Sequence, residues 1–517
     1  MRSVEIVLAL VALATVVAVS AKRLSAPAPS LLVVVGLLAG TLSWVPPVRV
    51  PPEIVSLVVL PPLIYAAGEE MSWPVLRQVW KPVSLLAVGL VLASAAAVGA
   101  VTAWITPLSW AMAFLLGTVL ASTDPVAVAA LGRRLSLPPR VQTLVQAESL
   151  FNDATSLLLF KVAVTIAVAG GALSWRATAG DFALLAGGGV AAGALLASGV
   201  TLIRRRTEDP VLETVIALVT PYASYVLAES LHASGVTAVV TTAMILGRQA
   251  PTLTNAGTRL QLTAVYGTVV FLLESVVFSL IGLELPTLIR EVSGQWAGPA
   301  VLIAATLIAV RVAWVFPLSA LTQWRGGARP SWQVPAVVSW AGARGVVPLA
   351  AALSIPLTTG GGAPLAGREL VVVLATTVIV ISLVVQGFTL APLVRLAGVV
   401  VNPDDARDEY TLARLRTAQV AMARLDDLDL AEAAPEVVLE RLRAGLVDRL
   451  DRAVSTSRDD GDAGSVTAAY RSLRRDLIAA ETAELHRLHD THQIGEDTRR
   501  NLQRRLDLEE TGLNERD

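Results

Sequence analysis

The sequence contains no cysteine, which excludes disulfides, thiolate metal ligands and any thiol nucleophile, and leaves the redox compartment without a signature. It is also short of charge. Only 16% of residues are Asp, Glu, Lys or Arg while 54% are apolar, a balance that points away from a soluble globular domain and toward an integral membrane protein. No glycine-rich phosphate loop occurs anywhere, so any work done across the membrane is expected to draw on ion gradients and not on a nucleotide.

What the chain does have is long apolar runs. Judged against the roughly 20 residues a helix needs to cross the hydrocarbon, thirteen segments qualify or nearly qualify. They cover about 4–21, 30–46, 53–67, 82–105, 110–132, 142–169, 180–203, 211–228, 235–247, 262–284, 297–321, 333–355 and 369–396. The first also fits a cleaved signal peptide, with Arg2 before it and Val19-Ser20-Ala21 at its end, but a first span is the more economical reading. Loops on one side carry 14 Lys or Arg, including Arg133, Arg134 and Arg204 to Arg206, against 5 on the other. The positive-inside rule then places the N-terminus outside and the C-terminal tail in the cytoplasm. The expected class is an all-α polytopic membrane protein with about 13 transmembrane helices over residues 1–400 and a helical cytoplasmic tail over 401–517.

The tail is acidic, with 26 Asp or Glu against 18 Arg, and lacks any spanning stretch. Helical periodicity is predicted over 406–430, 431–455, 464–490 and 494–511, with a turn near Ser457 to Asp462. His486, His489 and His492 recur every three residues; a metal site or pH sensor is conceivable there, but Arg487 and Asp490 beside them favour a solvated face. His232 is likewise read as a solvated loop histidine, within a polar cluster at 229–234 taken as an outer turn.

Chemistry should be sought where polar groups interrupt the apolar runs. A charge at the centre of a membrane helix costs about 2.5–3.5 kcal/mol on insertion scales, so such residues face a bundle interior and handle ions or protons. Two stretches stand out: Ser122-Thr123-Asp124-Pro125 and Glu148-Ser149-Leu150-Phe151-Asn152-Asp153. Pro125 cannot donate a helical hydrogen bond, so carbonyls near Thr123 and Asp124 become free to coordinate a cation. A simple kink needs no carboxylate, and Asp124 therefore favours a site. On the next segment Glu148 and Asn152 share one helical face, and Ser149 and Asp153 the adjacent one. At 1.5 Å per residue Asp153 lies about 17 Å and Asp124 about 12 Å from the cytoplasmic side, both near the midplane.

Further along, Glu274, Arg311 and Arg344 each sit deep in an apolar segment and need partners. Gly342 and Gly345 flank Arg344 with Pro348 beyond, which makes segment twelve a second candidate for a broken helix. Segments five and twelve are seven apart. Repeats of segments 1–6 and 8–13 would place the two breaks at equivalent positions with opposite orientation, and paired broken helices point to a transporter's binding site.

Together these residues resemble the sodium/proton exchanger branch of the monovalent cation:proton antiporters. The likeness is carried by Thr123-Asp124-Pro125, Glu148 to Asp153, Pro221-Tyr222 with Tyr225 and Ala228-Glu229, Gly342-Ala343-Arg344-Gly345, Gln386-Gly387-Phe388-Thr389-Leu390 and the double proline of Leu60-Pro61-Pro62-Leu63-Ile64-Tyr65. It covers about residues 5–400, and Arg474-Arg475-Asp476-Leu477 with Leu506 to Glu510 is similar to bacterial members. The resemblance implies a homodimer in the cytoplasmic membrane, with a six-helix ion-transporting core moving against a dimerisation domain. It implies that Asp153 alternately binds cation and proton, that Asp124, Thr123 and Ser149 line the site, and that Asn152 orients it. The transported Na+, Li+ or K+ is then a substrate held by Asp153 and Asp124, with no resident cofactor. It pairs Glu148 with Arg311 and, by the same reading, Glu274 with Arg344. Lys161 is left between lining the outer funnel and snorkelling outward. An intramembrane aspartyl protease is an alternative, although its Tyr-Asp and Gly-x-Gly-Asp signatures are missing; so is a cation channel, although no filter or pore repeat is evident. No nucleic-acid partner is implied.

Overall fold

The computed structural model describes residues 2–24, 27–42, 55–71, 73–124, 137–168, 175–207, 209–291, 296–325, 331–359, 362–399, 403–430, 435–457, 461–491, 493 and 496–514. Among the described residues the chain is built of helices, and its one β feature is an isolated bridge between Thr358 and Pro364. It divides into two compact units, Met1–Val400 and Val401–Asp517.

In the first unit, seven helices among the described residues are long and apolar enough to cross a membrane, and four shorter apolar helices accompany them. The chain is a multi-pass membrane protein. It begins with α1 (Arg2–Leu24) and α2 (Ala28–Gly40). A π-helical stretch at Val55–Val59 then runs straight into α3 (Leu60–Glu69), and the double proline Pro61-Pro62 sits just after that junction, where the wider turn accommodates their missing amide hydrogens. The predicted segment 82–105 is only the latter part of a longer run. Helix α4 (Trp73–Ser84) contains Pro82, and the chain passes through a π-helical turn at Leu85–Leu90 into α5 (Val91–Ile105). One proline inside a helix removes a backbone bond, and a π turn just beyond it lets the helix continue.

Next come α6 (Trp110–Ala121), α7 (Pro139–Val168), α8 (Trp175–Arg204), α9 (Pro210–Ser230) and α10 (Gly235–Leu253). The tenth predicted segment is longer than its hydropathy suggests, forming α11 (Ala256–Glu291), and α12 (Ala297–Arg325) follows. The twelfth is split into α13 (Gln333–Trp340) and α14 (Val346–Leu353), and α15 (Arg368–Ala397) closes the unit. Pro125 and the remainder of segment five lie outside the described residues, but α6 ends at Ala121 and Ser122 is already extended, with φ −68° and ψ 145°.

Packing sorts these helices into two groups. Helices α4 to α7 pack with α12 to α15, and α1 to α3 pack with α8 to α11, most extensively where α2 lies along α11 and α8 along α10. Close approach explains Gly36 of α2 and Gly193 of α8: a Cβ on Gly36 would meet the Ser279 backbone, and one on Gly193 the Ala238 carbonyl. Outward faces carry exposed Leu184, Leu195 and Leu202 on α8 and Val211 and Val219 on α9, apolar surface suited to lipid.

The second unit holds α16 (Pro403–Leu430), α17 (Glu436–Ser457), α18 (Gly461–Asp490) and α19 (Glu496–Asn514), close to the four periodic stretches of the sequence. Arg474 on α18 donates to Glu509 on α19 at 2.7 Å and to Glu481 at 3.2 Å, and the guanidinium holds the Glu509 carboxyl below its ordinary range. His486 is exposed and His489 half-buried on α18, whereas His492 lies outside the described residues. Among the described residues no cluster of three or more His, Cys, Asp or Glu is arranged to hold a metal ion.

Candidate functional site

Helix α7 presents Ser149, Asn152, Asp153 and Ser156 at spacings of three, one and three, a single polar stripe at helical period. That stripe faces the end of α6 and the non-helical residues after it. Ser149 Oγ donates to the Thr123 carbonyl at 2.5 Å, and Ser156 Oγ to the Thr118 carbonyl at 2.7 Å. Asn152 acts twice, accepting from the Thr123 amide at 3.3 Å and donating to Thr123 Oγ1 at 2.5 Å. Ser122 Oγ donates to the Asp153 carboxylate. The freed groups of a broken helix are thereby met by side chains of its neighbour, as buried backbone requires at membrane depth. Asp153 itself is 8% exposed.

The second break crosses the first. Residues 341–345 are non-helical between α13 and α14, and the Ala343 carbonyl accepts from the Asp124 amide at 2.7 Å. The Asp124 carboxylate faces the start of α14, where Oδ2 accepts from the Val346 amide at 3.3 Å. An anion at a helix N-terminus is favoured by the unpaired amides there. The approach is tight enough that a Cβ on Gly345 would fall inside the Asp124 carboxylate. Overpacking such a contact costs about 1–3 kcal/mol, and misplacing a binding group by an ångström is felt directly in rate. Gly345→Ala is therefore expected to cut ion flux through reconstituted vesicles at least about tenfold while the protein still folds; flux equal to the parent's would show that the carboxylate need not sit there.

Around the breaks, buried charges hold the helices in place. Arg311 on α12 meets Glu148 with two bonds, Nη1 to Oε1 at 2.5 Å and Nη2 to Oε2 at 2.8 Å, and also donates to the Val338 carbonyl from Nε at 3.2 Å. Gly342 lets this arginine pass, since a Cβ there would lie 2.5 Å from Arg311 Nε. On α15, Ser382 Oγ accepts from the Arg344 amide at 3.0 Å and donates to Gln386, and Gln386 donates to the Trp340 carbonyl at the end of α13. Gln386 in the motif 386–390 thus caps the broken helix.

The expected pair of Glu274 with Arg344 is not formed. Arg344, 3% exposed, donates from Nη1 to the Gly342 carbonyl at 2.8 Å, and its charged neighbours are Arg311 and Glu148. Its side chain turns back onto the break, a direction that position in a run cannot reveal. Its Nε has no hydrogen-bond partner among the described residues, and Arg344 lines a water-sized cavity of about 30 Å³ together with Arg311, Ser382 and Gln386.

Two polar features carry more than the sequence suggested. Residues 231–233 form the expected turn and His232 is exposed, but Glu229 just before them pairs with Lys161 at 2.6 Å. Arg204, one of the basic residues used to orient the chain, is 1% exposed and lies 3.5 Å from buried Glu213, with a hydrogen bond to Thr254. Ser122 and Ser156 had a detectable signal, the first in the same tetrapeptide as Asp124 and the second in the period of the α7 stripe.

Known proteins share this plan. A family model described as sodium/hydrogen exchanger, transmembrane, matches residues 6–396. An uncharacterized Na+/H+ exchanger of Mycobacterium tuberculosis is 34% identical across 98% of this chain and 96% of its own length. A Na+/H+ antiporter of Aphanothece halophytica is 31% identical across 77% of this chain and 74% of its own. Among solved structures, the sodium proton antiporter of Methanocaldococcus jannaschii at pH 8 superposes with a TM-score of 0.65 at 22% identity, covering 77% of this chain and 99% of that one. At that identity the superposition speaks for the fold.

Proposed function

Because the chain belongs to the sodium/hydrogen exchanger family, and so is a secondary transporter exchanging a monovalent cation for protons and not an enzyme, we propose that Asp153 is the group for which cation and proton compete. The observation that carries this reading is the position of its carboxylate, nearly enclosed where α7 faces two crossing helix breaks. A carboxylate there is unstable as a bare charge, and either a proton or a cation neutralises it. Ser122 Oγ bonds to it, and Ser149 one turn back on α7, bonded to the Thr123 carbonyl, adds further oxygens nearby, a hard set suited to an alkali cation. Asn152 and Asp124 hold the breaks in register. Sodium is the proposed cation, supported by the names of the relatives, and no cofactor takes part. The membrane is the cytoplasmic one, with the N-terminus outside, as the basic loops indicate. The working unit is a homodimer, and residues 401–517 form a cytoplasmic regulatory unit. The family match leaves the protease and channel alternatives without support.

Asn152 stands where a second carboxylate would add a second titrating charge. One proton then exchanges for one cation, and the loaded site is neutral in both directions. Exchange in liposomes is expected to be independent of an imposed potential, with the apparent cation affinity weakening as pH falls because protons compete for one carboxylate. A rate or final ion distribution that follows the voltage would show net charge movement and refute the neutral cycle.

A further inference from the structure

The ion pair between Lys161 and Glu229 has no part in the ion site, yet its placement gives it a role in the exchange. Lys161 lies on α7 eight residues beyond Asp153, about 12 Å further along the axis toward the outer side. Glu229 lies in the last turn of α9, and its Oε1 accepts from Lys161 Nζ at 2.6 Å and from the Gly235 amide, at the start of α10, at 3.2 Å. Helix α7 packs chiefly with α6 and α4, in the group that holds both breaks, whereas α9 packs with α10, α8 and α11. The pair therefore spans the two helix groups, about two turns beyond the carboxylate along α7. Its two side chains are 38% and 37% exposed, so parting the bond does not strand a charge sealed inside the helix packing. Buried Glu148 and Arg311, both within one helix group, have no such freedom.

We propose that Lys161 and Glu229 are the outer latch of the exchanger: their bond closes the external approach to Asp153, and each cycle must break and remake it. A site that serves two sides in turn needs closures that differ between states, and only an interaction present in one state shifts the balance between them. A half-exposed pair is suited to this because it is weak enough to open many times a second. The proposal rests on Asp153 being the exchanging carboxylate, and its test separates the two claims.

The cysteine-free chain allows clean thiol chemistry. The two long side chains together bridge the gap between the helices, so a short bis-maleimide, which spans more than a disulfide, is the chosen link. In the Lys161→Cys, Glu229→Cys double variant, the bis-maleimide is expected to stop exchange in proteoliposomes while a mono-maleimide does not. Lys161→Gln or Glu229→Gln alone should shift the balance toward the externally open form by about two- to fivefold, the worth of one half-exposed pair. That shift is read as faster labelling of Leu157→Cys, one turn before Lys161 on the same face, by a membrane-impermeant maleimide from outside. The charge-swapped Lys161→Glu, Glu229→Lys protein should restore the parent rate. Undiminished exchange in the cross-linked protein, or equal labelling in all variants, overturns the latch. Asp153→Asn placed in the double-cysteine background should cross-link normally yet fail to exchange even before cross-linking; if it exchanges, the fault lies with the site assignment.

Discussion

Asp153→Ala and Asp153→Asn are both expected to reduce cation-driven proton movement to the level of vesicles without protein, with thermal stability at or above that of the parent. The two changes test different things. Alanine removes the group entirely, whereas asparagine keeps the volume and can still accept the bond from Ser122 but cannot exchange a proton for a cation. Loss in both therefore assigns the effect to charge and not to packing. Stability should not suffer, because a buried carboxylate without an opposing cation is a cost to the folded state. Fluorescence dequenching in vesicles measures the first expectation and thermal unfolding of the purified protein the second. Near-normal exchange in either variant would mean that another group carries the proton.

The second large effect concerns structure. Removing one partner of a buried ion pair leaves an uncompensated charge and typically costs about 3–5 kcal/mol. Glu148→Ala or Arg311→Ala should each lower the unfolding temperature sharply, since both side chains are almost fully enclosed and doubly bonded to one another. The double variant should lose less than the sum of the two. Arg311→Ala is expected to be the worse single change for transport, because the guanidinium also holds the Val338 carbonyl of α13 and fills the space beside Gly342. A double-mutant cycle that proves additive would show that the pair contributes nothing as a pair.

Much of this site was legible in the sequence because membrane depth makes polar residues expensive. Asp153, Asp124, Asn152 and Arg311 announce themselves simply by standing in apolar runs. Gly342 and Gly345 signalled a break, and the structure supplies their reason: one admits the Arg311 side chain and the other the Asp124 carboxylate. Partners were harder to read. Glu148 with Arg311 came from a resemblance and not from spacing, while the pairing of Glu274 with Arg344 failed because sequence gives depth along a helix but not the direction in which a long side chain folds. Lys161 and Glu229 are 68 positions apart, and a polar cluster at a helix end is ordinarily a turn, so nothing local linked them. Arg204 was counted as an orienting loop charge although it is buried against Glu213, a distinction that depends on how α8, α9 and α10 close over it.

The bond between the Asp124 amide and the Ala343 carbonyl joins opposite halves of the membrane unit, and this bears on how the protein is made. A ribosome delivers α7, with Glu148 and Asp153 already in the bilayer, long before α12 brings Arg311 or α13 and α14 bring the second break. Contacts so distant in sequence form late, since the intervening chain must be closed into a loop before they give anything back. Through that interval the nascent protein carries an unmatched glutamate and an open helix end in hydrocarbon. Both are satisfied only when the two halves cross, which makes that crossing the step that completes the polar interior.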